Sequence, residues 1–391
     1  MFVIWLFLYL VKNYFFQTYE VLSDRLEKAG VQVDFCSSWT NLDYLSFPSY
    51  PEFRDIASSR ENRKKMSESV SKADVVICSD SAAVVWLLTE CLRQGKRSLW
   101  GLHTDMLNRS EVDSVPPIFI KLLYVLGSYL SDVTFTTSYI FKNKLKGALD
   151  INFVMDQDFK CAAFKVDDDP HEIMQLRKSL MRDGTDYMVL YAGRLSKEKR
   201  IDLLFHALPD NVTMVIVGDG PEKGKMQDYE RKYNNVRLVA EMVPQDVLRT
   251  FYKAADLHIS ASNSETYGMT VRESLYCGTP VVVQNDGGFI EQVRHSIDGF
   301  LVDFEDSKAS KESISEACKM LERFSPCPQH NDVVDLADFI SNGEYQKVSP
   351  YSRVTNKFLF FLLTKCLPAV FIFGYHCVSL FFKLFGIRAE M

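Results

Sequence analysis

A chain of 391 residues has room for two or three domains at about 150 residues each, every one able to bury its own core, so a peptide-sized binding module is excluded. With 47% hydrophobic, 25% charged and 13% aromatic residues and no low-complexity tract, the composition is that of a packed globular protein rather than a disordered one. Lys+Arg 45 against Asp+Glu 51 leaves a net charge of −6, which lacks the basic excess that drives nucleic-acid binding.

In chain order, the first element is the uncharged run MFVIWLFLYLV, residues 1–11, which stops at Lys12. A spanning helix needs about 20 apolar residues, and the run lacks the basic n-region and small-residue cleavage site of a signal peptide. It reads as a buried first strand. TYEVLSDRLEKAG (18–30) has helical periodicity and ends in Gly30, and VQVDFC (31–36) reads as a strand. Further on, Asp74 to Cys78 is a buried strand, AAVVWLLTECLRQG (82–95) a helix, KRSLWGL (96–102) a strand running into His103, and DVTFTTS (132–138) a later strand. Alternation of this kind predicts a parallel sheet covered on both faces, an α/β domain over residues 1–164.

Residues 165–186 lose the alternation at Asp167, Asp168, Asp169 and Pro170 and read as a linker joined to a short helix. A second series follows over 187–345, with strands at 187–193, 213–218, 236–240, 257–260, 280–284 and 299–302. Two doubly wound domains bring their strand ends to a shared cleft, where ligand chemistry belongs. The tail, 353–391, differs: Phe358 to Phe382 is uncharged except for Lys365 and His376, and Arg353, Lys357, Lys383 and Arg388 flank it. That pattern predicts a membrane-associated segment, either one tilted span or a helical pair lying in the interface. Nine cysteines without a CxxC pair suit a reducing compartment and offer neither a disulfide frame nor a zinc site.

Three motifs in the second series carry chemistry. AGRLSKEKR (192–200) follows a strand and places Arg194 and Lys199 on the loop after Gly193, where a guanidinium fork and a point charge can neutralise a diphosphate. VGDGPE (217–222) is a strand followed by a tight turn, and Gly218 and Gly220 permit close backbone approach to a ligand. It falls short of the G-x-G-x-x-G fingerprint, which disfavours NAD. SNSETYGMTVRESLYCGTPVV (262–282) sets Glu265 in a loop and Glu273 two turns into a helix beginning near Gly268. Amides of Gly268, Met269 and Thr270 then form an anion-binding helix N-terminus, and the carboxylates suit vicinal sugar hydroxyls. Asp156-Gln157-Asp158 is a D-x-D that could hold a metal through hard oxygen ligands, but it lies at the interdomain junction, outside either nucleotide-binding half.

Taken together, G-R-L-x-x-x-K at 193–199, G-D-G-P at 218–221, E-x7-E at 265–273, CGTPVV at 277–282 and DGG at 286–288 resemble the retaining GT-B glycosyltransferases of the group 1 family. The resemblance runs from about Thr18 to Val302, and residues 74–106 look like the sulfoquinovosyltransferase and diacylglycerol- or phosphoinositol-glycosyltransferase branch. It implies two Rossmann-like domains facing a cleft. It further implies a nucleotide-sugar donor, with a UDP-sugar favoured, no required cofactor or metal, and transfer to a lipid hydroxyl such as diacylglycerol with retention of configuration. By the same resemblance Arg194 and Lys199 bind the donor diphosphate, Glu273 the ribose hydroxyls, Glu265 the transferred sugar, and His103 faces the reacting sugar or acceptor. Asp105 and Ser138 are weaker candidates.

A membrane-associated enzyme with its active domains in a reducing compartment, on a cytosolic face or a plastid envelope, is the expected setting. The resemblance departs at two places. KNYFFQTYE (12–20) contains no glycine where the family has a Gly-containing loop, and MDQDFKCAAF (155–164) stands where a Gly-Val-Asp turn is usual. The alternative is therefore a catalytically silent, nucleotide-binding GT-B-like membrane subunit.

Overall fold

The structure, a computed structural model, describes residues 2–7, 22–37, 60–79, 84–102, 124, 127–128, 130–136, 138–143, 153–155, 169–263, 265–327 and 336–346. Its first sheet has six parallel strands: β1 (Phe2–Phe7), β2 (Gln32–Ser37), β3 (Val75–Ser79), β4 (Arg97–Leu102), β5 (Val133–Thr136) and β6 (Phe153–Met155), in the order β2-β1-β3-β4-β5-β6. Residues 2–7 of the N-terminal apolar run are thus a strand, with Val3 in register with Val33 on one side and Val75 on the other. A continuous apolar sequence suits an interior strand of a parallel sheet, which has no solvated face; in β3, Val75 to Cys78 are all buried.

Some described elements of this half escaped the sequence reading. The Arg60–Lys72 helix, RENRKKMSESVSK, is almost wholly polar. Among its described side chains Val70 is the buried apolar one, too little to register as a period. Strand β6 is three residues long, shorter than any alternation can reveal.

The linker helix, Pro170–Leu180, begins with Asp169 as its cap: Asp169 Oδ1 accepts the His171 amide at 2.9 Å, and Pro170 takes the first turn where its missing N–H costs nothing. Its Ile173, Leu176 and Leu180 pack on the second domain. Arg177 fixes it there by donating to the Ala254 carbonyl and to Asp256, both at 2.7 Å, while Asp256 Oδ2 also accepts the Met188 amide.

The second sheet is also six-stranded and parallel: β7 (Tyr187–Ala192), β8 (Val212–Val217), β9 (Val236–Val239), β10 (Leu257–Ser260), β11 (Val281–Gln284) and β12 (Gly299–Val302), in the order β12-β11-β10-β7-β8-β9. Each of the six strands predicted for this half is present. Chain order reverses between β7 and β10, and such a reversal opens a crevice at the carboxyl ends of the two strands. The sequence sent residues up to 345 with this domain. Instead Leu336, Ala337, Ile340 and Tyr345 pack with Leu22, Leu26, Val75, Ile77, Leu99 and Phe135 on the first sheet. Arg97 secures them by donating to the Gln346 carbonyl at 3.3 Å while paired with Asp132 at 2.9 Å.

Among the described residues no helix is long and apolar enough to cross a membrane; the tail at 353–391 lies outside them. So do His103, Asp105 and the D-x-D at 156–158, and no metal-binding group of His, Cys, Asp or Glu occurs among those described.

Candidate functional site

The crevice between β7 and β10 is built by four loops at the carboxyl end of the second sheet, and their glycines explain how closely they approach. A Cβ on Gly218 would lie 1.9 Å from the Gly193 carbonyl oxygen, and one on Gly220 2.4 Å from that of Leu195; both glycines have positive φ. Hydrogen bonds complete the joint: Leu195 N–H donates to the Asp219 carbonyl and Glu222 N–H to the Leu195 carbonyl, each at 2.9 Å. Gly218 and Gly220 were expected to let a ligand approach the backbone. In this structure they let the 193–195 loop approach it, which fixes the loop that carries Arg194. The Tyr191 hydroxyl adds a bond to the Arg194 carbonyl at 2.9 Å; burial, then the negative charges of Glu265 and Glu198, hold that phenol well above its ordinary range, so it stays a donor.

Lys199 follows in a short 3-10 turn, Lys197–Lys199, which Arg200 closes in the left-handed conformation at φ 46°. Arg200 Nε then donates to the Ala261 carbonyl at 2.8 Å, tying the β7 loop to the β10 loop. Across the crevice Lys199 Nζ forms an ion pair with Glu265, with 22% and 19% of their side chains exposed. Two residues proposed for separate parts of a donor therefore meet at the point where strand order reverses. Glu265 is supported from behind by the DGG turn: Gly288 N–H donates to its carbonyl at 3.0 Å, and a Cβ on Gly287 would sit 2.5 Å from the same oxygen.

The predicted helix runs from Met269 to Tyr276, capped by Gly268 at φ 87°. A Cβ there would lie 2.5 Å from the Phe289 ring, so glycine is required twice over. Met269 and Thr270 are half-buried on its first turn, beside Glu265 in the chain. Amides of an opening turn carry partial positive charge, the complement of a phosphate.

Glu273 lies deeper. It has no exposed surface, and its Oε2 accepts the Tyr252 hydroxyl at 3.0 Å. Tyr252 belongs to the Gln245–Ala254 helix and meets the buried His258 edge-on at a centroid distance of 5.5 Å. Neither Tyr252 nor His258 stood out in the sequence, because a lone aromatic on an amphipathic helix and a lone histidine in a strand read as ordinary core. Buried cysteines nearby are not nucleophile candidates: burial pushes the Cys277 thiol up to about 12.

Residues 172–323 match the family model described as glycosyl transferases, group 1. The second domain is thus similar in sequence to the glycosyl transferases of group 1. Over 138 residues the chain is 31% identical to an uncharacterized glycosyltransferase of Methanocaldococcus jannaschii, covering 34% of this chain and 35% of that protein. It is 33% identical over 125 residues to the alpha-monoglucosyldiacylglycerol synthase of Streptococcus pneumoniae, covering 29% and 28% of the two chains. The chain thus spans about a third of the length of the curated relatives it matches.

By structure it is similar to the sucrose-phosphate synthase of Thermosynechococcus elongatus, with TM-score 0.70, 16% identity and coverage of 89% of this chain and 95% of that one. HepE of Anabaena, solved with UDP and glucose, gives TM-score 0.62 at 18% identity and covers 92% and 99%. These likenesses establish the GT-B α/β fold with parallel sheets.

Proposed function

We propose that the protein transfers a hexose-type sugar from a nucleoside-diphosphate donor, a UDP-sugar, to a lipid hydroxyl such as diacylglycerol, with retention of configuration and no required cofactor. The observation that carries the reading is the Lys199–Glu265 pair at the strand-order reversal, with Arg194 and the opening turn of the Met269–Tyr276 helix on adjoining loops. Departure of a diphosphate from an oxocarbenium-like sugar places negative charge where Lys199, Arg194 and the helix amides lie, and preorganised donors stabilise such charge. Lys199 would exchange its carboxylate partner for the diphosphate, freeing Glu265 to accept sugar hydroxyls. Glu273, held by Tyr252 and without exposed surface in this structure, would accept from the ribose once donor binding uncovers it. Attack comes from the face the leaving group departs, and the departing phosphate takes the acceptor proton; His103 positions the acceptor.

Lipid as acceptor, and a membrane as its setting, draw support from the apolar tail and from the diacylglycerol relative; inositol-phosphate and mannosyl transferases among the relatives mark the competing acceptors and donors. The test is to incubate the detergent-solubilised protein with diacylglycerol liposomes and a panel of nucleotide sugars, following products by mass spectrometry and anomeric NMR. Wild type should give an α-linked glycolipid from an α-linked donor. Lys199→Ala should lower kcat by about 10²–10³-fold, the effect of removing one preorganised donor. Unchanged turnover in both Lys199→Ala and Glu273→Ala would reject the assignment. UDP binding without any product would favour the silent subunit.

A further inference from the structure

Among the described residues, Glu291 of the second domain makes a hydrogen-bonded contact with the first domain. Glu291, on the short Phe289–Gln292 helix after β11, directs its carboxylate at the turn that follows β5. Its Oε1 accepts the Ser138 hydroxyl at 2.6 Å and the Ile140 amide, and its Oε2 accepts the Tyr139 amide at 2.9 Å. Ser138 is buried and its hydroxyl also accepts the Phe141 amide at 3.1 Å. A carboxylate of one domain therefore accepts amides from the first turn of the helical segment 139–143 of the other, where a helix leaves its opening N–H groups to outside acceptors.

On its own side Glu291 is not a free surface charge. Its neighbour Gln292, buried, donates through Nε2 to the Tyr267 carbonyl and to that of Gly268 at 3.3 Å. Gly288 N–H meets the Glu265 carbonyl, and a Cβ on Gly288 would lie 2.5 Å from Tyr267 Cα. The 287–292 segment is thereby clamped to the backbone at 265–268, which holds Glu265 and starts the Met269–Tyr276 helix. One packed segment thus connects residues 138–140 of the first domain to the loop that pairs with Lys199.

We infer that Glu291 is an interdomain latch, a positioning residue that couples approach of the first domain to the conformation of the Glu265 loop. Its consequence for catalysis rests on the transferase reading above; its existence as a latch does not. Hydrogen exchange on the full-length protein tests it directly, since two of the three bonded donors are backbone amides. In Glu291→Ala the peptide containing Tyr139 and Ile140 should lose at least tenfold in protection, while β7 at 187–192 keeps its own. Ser138→Ala should weaken the same amides less, and combining the two substitutions should add little to Glu291→Ala alone, as expected of residues sharing one contact.

UDP affinity by calorimetry should stay within about threefold of wild type. In the liposome assay kcat/KM for the lipid acceptor should fall about tenfold, the usual scale of lost hydrogen bonds to a charged group. Unchanged protection at 139–140 in Glu291→Ala overturns the latch; so does lost protection with undiminished acceptor kcat/KM, which reduces the contact to surface pairing. If wild type transfers no sugar, the transferase reading fails, and the exchange measurements, with the UDP affinity of the variant, still decide the latch.

Discussion

Protonation of His258 should make the second domain acid-labile in a defined window. His258 lies in β10, flanked by β7 and β11, with no exposed surface; its Nδ1 donates to the Leu190 carbonyl at 3.0 Å and its Nε2 has no hydrogen-bond partner among the described residues. Burial lowers its pKa from 6.5 to about 4, and the bond to Leu190 opposes that shift in part. In the unfolded chain the imidazole takes up its proton near the ordinary value, so between those two pH values the unfolded state binds more protons and folding weakens as pH falls. With one pKa unit equal to about 1.4 kcal/mol, the loss relative to pH 8 comes to about 1.4 kcal/mol at pH 5.5 and about 2.6 kcal/mol at pH 4.5. Below the folded value both states are protonated and the loss levels off. Carboxylates elsewhere in the chain contribute to any single curve, so the measurement is a difference: urea denaturation of wild type and His258→Gln, followed at β7–β12 by hydrogen exchange, from pH 8 to pH 4.5. The glutamine keeps a donor for Leu190 and does not titrate. Wild type should lose the stated stability relative to the variant; a constant difference across that range would refute a buried neutral histidine.

The loop glycines give a paired prediction. Gly218→Ala forces a methyl to 1.9 Å from the Gly193 carbonyl oxygen and should cost about 2–4 kcal/mol in thermal or urea unfolding while weakening UDP binding, because it displaces the Arg194 loop. Gly224→Ala, six residues on, meets nothing within 4 Å in the Lys223–Lys232 helix and should stabilise by up to about 1 kcal/mol; equal effects would remove the steric account. In the first domain the Arg93 guanidinium, with Ser67 and Gln94, outweighs burial and holds the Glu90 carboxyl down to about 2. Its contribution is present above the ordinary value of 4.5 and lost as pH falls through the depressed one. Glu90→Gln should therefore destabilise the first domain at pH 7 and flatten its stability between pH 4.5 and pH 2, read as protection of the Arg60–Lys72 and Val84–Arg93 helices.

Where one side chain's chemistry or one strand's run of apolar residues decides an outcome, the sequence was readable. VVIC, TMVIVG and PVVVQ are buried and announce interior parallel strands; Gly268 before a helical period announces the turn and the helix that starts beyond it. Lys199, Glu265 and Glu273 could be singled out because their spacing is fixed by the strand–loop–helix units that carry them. What stayed hidden depends on distance in the chain. The 336–346 segment reads as a continuation of the domain it follows, and nothing local distinguishes packing on Val75 and Leu99 from packing on β12. The packing of Gly218 against the Gly193 carbonyl, 25 positions earlier, has no local signal either.

Glu291 makes the point most sharply. In FIEQV it is one acid on one turn of helix, indistinguishable by composition from a solvated surface charge. Its partners, Ser138, Tyr139 and Ile140, are 151 to 153 positions away, in a domain with its own sheet. Only when the DGG turn is clamped to the Glu265 backbone does that carboxylate acquire a direction. The same clamp that holds the loop then aims Glu291 across the crevice. The glycines of the motif thus serve two contacts at once, and a substitution at Gly287 or Gly288 should disturb the ion pair at Lys199 and the latch at Ser138 together.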